Sequence, residues 1–205
     1  QLGGLAKAPG SYALGRGYLS LNEYEKAQDH LQQAWNFGYQ TPDAAYALGL
    51  TLGNIYQKAL SAADQIQDKE QRKLKLREIE KEYRDPAVSY LQKSKNYEEA
   101  SAEYVEGLIA FYQKKYDEAL KLSQQAMQKV PWLYEARVLE GRIYVRKGTD
   151  KRDRGEYTNA STDYQQAIRA FRSSLQTGES DPAAYDALCG LYREIIFVEV
   201  FQTGR

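Results

Sequence analysis

Tyr104-Val-Glu-Gly-Leu-Ile-Ala-Phe-Tyr-Gln-Lys-Lys-Tyr-Asp-Glu-Ala-Leu120, continuing to Ala126, Pro131 and Ala136, decides the fold of this chain. Gly107 and Ala110 share one helical face and mark a place where a second helix must approach closely. Tyr116, Ala119 and Ala126 repeat the small-and-large pattern on that second helix. The stretch therefore reads as a helix, a turn and a returning antiparallel helix. Pro131 ends it, because a ring without an N–H cannot continue the helix and pre-sets the next turn. A unit of this size cannot bury its apolar face alone, so stacked copies are expected.

The copies are present. Tyr12-Ala-Leu-Gly15 recurs letter for letter as Tyr46-Ala-Leu-Gly49, and the step from Gly107 to Gly141 has the same length. Tyr24, Ala27, Leu31 and Ala34 on the second helix of the first unit match Tyr116, Ala119, Ser123 and Ala126 in the third. This pattern resembles the tetratricopeptide repeat family, whose period is about 34 residues and whose signature runs Leu-Gly…Tyr…Ala. The tryptophan expected early in the first helix is replaced by Ser11 in the first repeat and Glu103 in the third. The resemblance covers nearly the whole chain and implies an all-α, right-handed superhelical solenoid of antiparallel helix pairs, about five units in one domain.

The repeats fall at about 8–41, 42–99, 100–133 and 134–181, with a terminal helix at 182–205. Pro9, Thr41-Pro42 and Asp181-Pro182 read as helix starts, and Asp85-Pro86 should open the second helix of repeat two with Ala87, Leu91 and Ser94 on its packing face. Gly49 to Gly107 exceeds one period by about 24 residues, which places an insertion at 60–84. It reads as a first helix prolonged to Ile66, a tight turn at Gln67-Asp68 and an added charged helix keeping Leu76, Ile79 and Tyr83 at helical spacing. Gly141 to Cys189 is also longer than one period, so a second insertion lies at 148–161, its polar tip bounded by Gly148 and Gly155. Both insertions are expected to project from the stack, and the first to be dispensable for folding.

Lysine plus arginine and aspartate plus glutamate both total 28, so the chain is formally neutral. No sequence-independent pull on nucleic acid or anionic lipid follows, which argues against a nucleic-acid reader. No run approaches a membrane span. The lone Cys189 forms no internal disulfide and occupies the small-residue slot of Gly15, Gly49, Gly107 and Gly141, so it reads as a packed thiol. His30 reads as a surface residue. No nucleophile, base and orienting group converge, and Glu98-Glu99 and Asp117-Glu118 suit solvated helix faces, so no catalytic, cofactor or metal site is expected. Opening on Gln1, the chain is expected to be a piece of a larger protein, located in the cytoplasm.

The resemblance further implies that first helices line a concave groove for a protein or peptide partner. The lining positions are Tyr12, Arg16, Leu19 and Ser20, then Tyr46, Leu50 and Asn54, then Tyr104, Leu108, Phe111 and Tyr112, then Glu135, Val138, Arg142 and Arg146. Tyr12, Tyr46 and Tyr104 occupy one position in three repeats, and tyrosine offers apolar area with a polar tip at small entropic cost. The Lys and Asn clamp that some family members use on a C-terminal carboxylate is replaced here by Tyr12, Arg16 and Ala47. A weaker resemblance, carried by 46–60, 104–112 and 131–136, is to the repeat region following the kinase domain of some bacterial serine/threonine kinases. It implies a sensing or docking arm, none of the kinase motifs themselves being in this chain. Finally, Leu191, Ile195 and Val198 give the last helix one apolar face while Ile196, Phe197, Val200 and Phe201 add apolar surface on other sides. That segment is expected to pack against a second copy as a homodimer or against further residues, although its β-branched content leaves a strand open.

Overall fold

The computed structural model describes residues 2–95, 97–179 and 182–203, with side chains described at all of these except 2–6, 183 and 201–203. The described residues divide into two compact units, 1–99 and 100–205. The first holds α1 (Leu2–Ser20), α2 (Tyr24–Asn36), α3 (Pro42–Ala63), α4 (Lys69–Ile79), a π turn (Glu80–Arg84) and α5 (Asp85–Lys93). The second holds α6 (Ala102–Tyr112), α7 (Tyr116–Lys129), α8 (Tyr134–Asp153), α9 (Tyr157–Leu175) and α10 (Pro182–Thr203). Within each unit the helices pack as hairpins, α1 on α2, α3 on α5, α6 on α7 and α8 on α9, the architecture that the tetratricopeptide resemblance implies. The segment around 191–201 is helical, so the strand alternative falls.

One turn is used four times among the described residues: after α2, Gly38 at φ 93° closes with Tyr39 N–H to Ala34 O at 3.0 Å and Gly38 N–H to Trp35 O at 3.1 Å, and three hairpins use it too. The α1–α2, α6–α7 and α8–α9 links each place one residue in the left-handed region, Asn22 at φ 59°, Lys114 at 61° and Gly155 at 79°. Each closes with the same pair of hydrogen bonds, such as Glu23 N–H to Tyr18 O at 2.9 Å and Asn22 N–H to Leu19 O at 3.1 Å, matched by Lys115 to Ala110 and Lys114 to Phe111. This is the Schellman closure, which satisfies carbonyls at the helix end and favours Gly or Asn at the left-handed position. Lys114 alone fits poorly there. Lys114→Gly is expected to stabilise the second unit by about 0.5–1 kcal/mol, read as a shift in its urea midpoint.

The small-residue slot is where the hairpins touch. A Cβ at Gly15 would lie 2.6 Å from Leu31 Cγ, at Gly49 2.7 Å from Leu91 Cγ, and at Gly141 2.6 Å from Phe171 Cε1. Each glycine thus receives one large side chain of the opposing helix. Gly107 differs: its nearest neighbours would be Leu139 at 3.3 Å and Leu122 at 3.4 Å, because the matching position across the hairpin is the small Ser123.

Several expectations are corrected. Pro9 does not precede the first helix but lies inside α1, which starts at Leu2. An interior proline costs about 3 kcal/mol, and packing overrides it, with Ala8 buried beside it. Thr41-Pro42 does start α3, yet the Thr41 hydroxyl makes no capping bond. Asp181 lies outside the described residues. Asp85-Pro86 is not a fresh start either: Arg84 and Asp85 are both helical, and α4, the π turn and α5 run on without a break. Ala87, Leu91 and Ser94 are buried there as expected.

The added helix begins where expected, with the Asp68 carboxylate accepting the Gln71 N–H at 2.7 Å. It is anchored at its far end, since Ile79 is buried and α3 contributes the buried Leu60 and Ala63 along the length it shares with α4 and the π turn. Ile79→Ala is expected to cost about 2–5 kcal/mol, measured by chemical denaturation.

The second insertion is not a projecting loop. Gly148 is a buried helical residue of α8, and a Cβ there would lie 2.6 Å from Tyr164 Cδ1. Both helices of that hairpin are simply longer, with Thr149 buried against Tyr164 and only Arg154–Glu156 forming the turn. Lys151 pairs with Asp163 at 2.7 Å, and Arg152 pairs with Glu194 of α10. Cys189 is exposed rather than packed, because α10 turns Leu188 and Leu191 inward against α9 and leaves 189 on its outer side. His30 is half-buried, its ring stacked on Tyr18 with centroids 5.3 Å apart.

Candidate functional site

In the first unit, the N-terminus of α3, the middle of α1 and the segment after α5 enclose a shallow concavity of about 440 Å³ lined by Tyr12, Arg16, Pro42, Asp43, Tyr97 and Glu99. Helical spacing sets Tyr12 and Arg16 one turn apart, and Pro42 at the first turn of α3 presents Asp43 toward them. Arg16 donates to the Tyr12 hydroxyl at 2.9 Å, and Tyr97 donates to Glu99 at 2.6 Å. Arg16 also interacts with Tyr97, and Tyr12 with Asp43, so the two bonded pairs and Asp43 form one polar group across three segments. Around it, Tyr12 stacks on Tyr39 with centroids 4.7 Å apart, and Tyr46 leans on Tyr97 at 5.3 Å.

The electrostatics follow from this group. Burial, reinforced by the hydrogen bond to Asp43, pushes the Tyr12 hydroxyl up to about 12. Burial works against the Arg16 charge, but the hydrogen bonds with Tyr12 and Tyr97 outweigh it and raise its pKa. The bond to Glu99, then burial, raises Tyr97. Burial opposes ionisation of Asp43, yet the surrounding polar groups, Tyr12 and the backbone N–H groups at the start of α3 among them, prevail and lower its pKa. The site is therefore set at neutral pH with neutral tyrosines between a cation and two carboxylates.

A folded pKa above the unfolded value means that the Tyr12 contribution is complete below about pH 10 and is lost as pH rises through about 12. Tyr12→Phe is expected to flatten the alkaline loss of stability over that window, read from chemical denaturation at a series of pH values.

Among the other lining positions expected in this unit, Leu19, Tyr46, Leu50 and Asn54 are half-buried, while Arg16 and Ser20 are exposed. In the second unit Tyr104 is 8 % exposed, and Leu108, Phe111, Tyr112 and Val138 are buried as well. Phe111 meets Tyr112 and Tyr116 at a tilt, with centroids 5.7 and 6.3 Å apart, inside the α6–α7 hairpin. Glu135, Arg142 and Arg146 are half-buried. Tyr39, Tyr97, Asp43 and Glu99 are additions that the repeat pattern does not single out. Tyr97 and Glu99 sit in an irregular segment without periodic signal, and Asp43 reads from sequence only as a first-turn acid.

Among the described residues no group of three or more His, Cys, Asp or Glu side chains could hold a metal ion, and no helix is long and apolar enough to cross a membrane.

No protein-family model matches the chain, and no curated protein does. Among solved structures, the chain is similar to MamA from residue 41 to its end, from Desulfovibrio magneticus RS-1. That match has 18% identity and a TM-score of 0.33, covering 86% of this chain and 97% of that one. It is also similar to pilF of Pseudomonas aeruginosa, with 18% identity and a TM-score of 0.37 over 99% of this chain and 100% of that one.

Proposed function

We propose that this protein is a non-catalytic scaffold that binds a protein or peptide partner through the Arg16 cluster of its first unit. The observation that carries the reading is Arg16 itself. Its guanidinium opens into a concavity and donates to the Tyr12 hydroxyl, and among the described residues it forms no salt bridge with a carboxylate. A guanidinium has five donors in a fixed fork, so the bond to Tyr12 leaves others for an incoming acceptor. Arginine and tyrosine are also the residues in which binding energy concentrates at protein interfaces, since they combine large contact area with few rotamers to freeze. Pre-formed stacking of Tyr12 on Tyr39 and of Tyr46 on Tyr97 lowers the ordering cost further.

The test is affinity enrichment with the whole chain, wild type against Arg16→Ala and Tyr97→Ala. Partners captured by wild type are expected to be lost from both variants by about tenfold or more, roughly 1.4 kcal/mol, with thermal unfolding unchanged. Retention of the same partners at the same yield by well-folded variants would overturn the reading.

A further inference from the structure

The outer face of α1 repeats the stacking face of α3, and α3 shows how such a face is covered. One repeat period along the chain takes Gly10, Ala13, Leu14, Gly17 and Leu21 to Ala44, Ala47, Leu48, Thr51 and Ile55. All five α3 residues are buried, and Ala47 and Leu48 share a core cluster with Ala27 and Leu31 of the preceding helix. On α1 the same stripe faces outward: Leu14 is 54% exposed, Leu21 68% exposed, and a Cβ at Gly10 or Gly17 would meet nothing within 4 Å. The stripe carries no charge. With glycine where α3 has Ala44 and Thr51, it is also the more deeply notched of the two, so it accepts larger side chains than the α3 face does.

A stripe of matching character lies on α10. Tyr185, Tyr192, Ile196 and Val200 recur at helical spacing on an exposed flank of α10, beside the Leu188, Leu191, Ile195 and Val198 face that packs on α9, with the Tyr192 hydroxyl accepting from Arg172 of α9 at 3.1 Å. The two tyrosines of this stripe are the kind of side chain that glycine notches receive elsewhere in this fold, as Gly141 receives Phe171 and Gly148 receives Tyr164.

We propose that α10 of one copy docks into the α1 stripe of a second copy, so that the chain self-associates head to tail. The two patches differ, so the contact is heterologous, and each added copy presents a fresh α1 stripe and a fresh α10 stripe. Association then continues beyond the dimer as concentration rises. This is independent of the Arg16 concavity, none of whose lining residues lies in either stripe.

Sedimentation velocity on the whole chain across a concentration series tests it, with Leu14→Glu and Ile196→Glu as single variants. Both residues are exposed, so the helical content and melting of each variant should match wild type. Wild type is expected to grow past a dimer, and each variant to lose self-affinity by about tenfold or more. An equimolar mixture of the two variants retains one good α10 and one good α1, and is expected to form a dimer that grows no further. A wild type that stays monomeric overturns the proposal, as does a mixture that stays monomeric. A Leu14→Glu chain that self-associates like wild type overturns it too, because it would show α10 pairing with α10. Leu21→Glu and Val200→Glu repeat the test should either first variant unfold.

Discussion

Gly141→Ala is expected to destabilise the second unit by about 1–3 kcal/mol, whereas the same change at Gly107 is expected to be neutral or stabilising by up to about 1 kcal/mol. Alanine is the better helix former at both positions, so propensity alone predicts two gains. Space reverses one of them. At Gly141 the added methyl meets three atoms of the fully buried Phe171 ring between 2.6 and 2.8 Å, and a packed aromatic ring has no alternative rotamer to retreat to. At Gly107 the tightest contact is the end of Leu139 at 3.3 Å, which a few tenths of an ångström relieve. Urea unfolding of both variants, followed by helical signal, measures the difference, and equal losses at the two glycines would refute the account.

Phe171→Ala is expected to cost more, about 3–5 kcal/mol. Its ring is fully buried in the cluster that joins Val138, Tyr164 and Ile168 to Leu188 and Leu191, so truncation opens a cavity shared by three helices. The two changes are also coupled through one contact. In a Phe171→Ala background the Gly141→Ala methyl fills part of the vacated space, so its penalty should vanish or change sign, a non-additivity of about 1–3 kcal/mol in a double-mutant cycle. Strict additivity would mean that Gly141 and Phe171 do not share the space that the packing gives them.

What could be read from the sequence, and what could not, divides along a physical line. Glycine, alanine and tyrosine recurring once per repeat carry the hairpin contacts, so helix pairing was legible from Tyr12-Ala-Leu-Gly15 and its second occurrence at Tyr46. The first insertion was legible because Gln67-Asp68 breaks one helix and caps the next. Gly148 misleads, because a glycine beside polar residues reads as a turn until the ring of Tyr164 is seen to occupy its missing side chain. Pro9 misleads for a related reason: propensity is local, and burial of the neighbouring turn is not. The Arg16 cluster was half legible. Tyr12, Arg16 and Tyr46 follow from periodicity on α1 and α3, but Tyr97 and Glu99 arrive through an irregular segment whose course no spacing rule dictates.

The unbroken passage from α4 through the π turn into α5 has a mechanical consequence. An ordinary loop is a joint that absorbs a twist, but from Lys69 to Lys93 the backbone offers no joint. The single wide turn at 80–84 changes the winding without interrupting it. A twist of α5 would therefore be shared with the buried Ile79 end of α4, and it would move Tyr90 against Trp35 and Leu91 against Gly49 together.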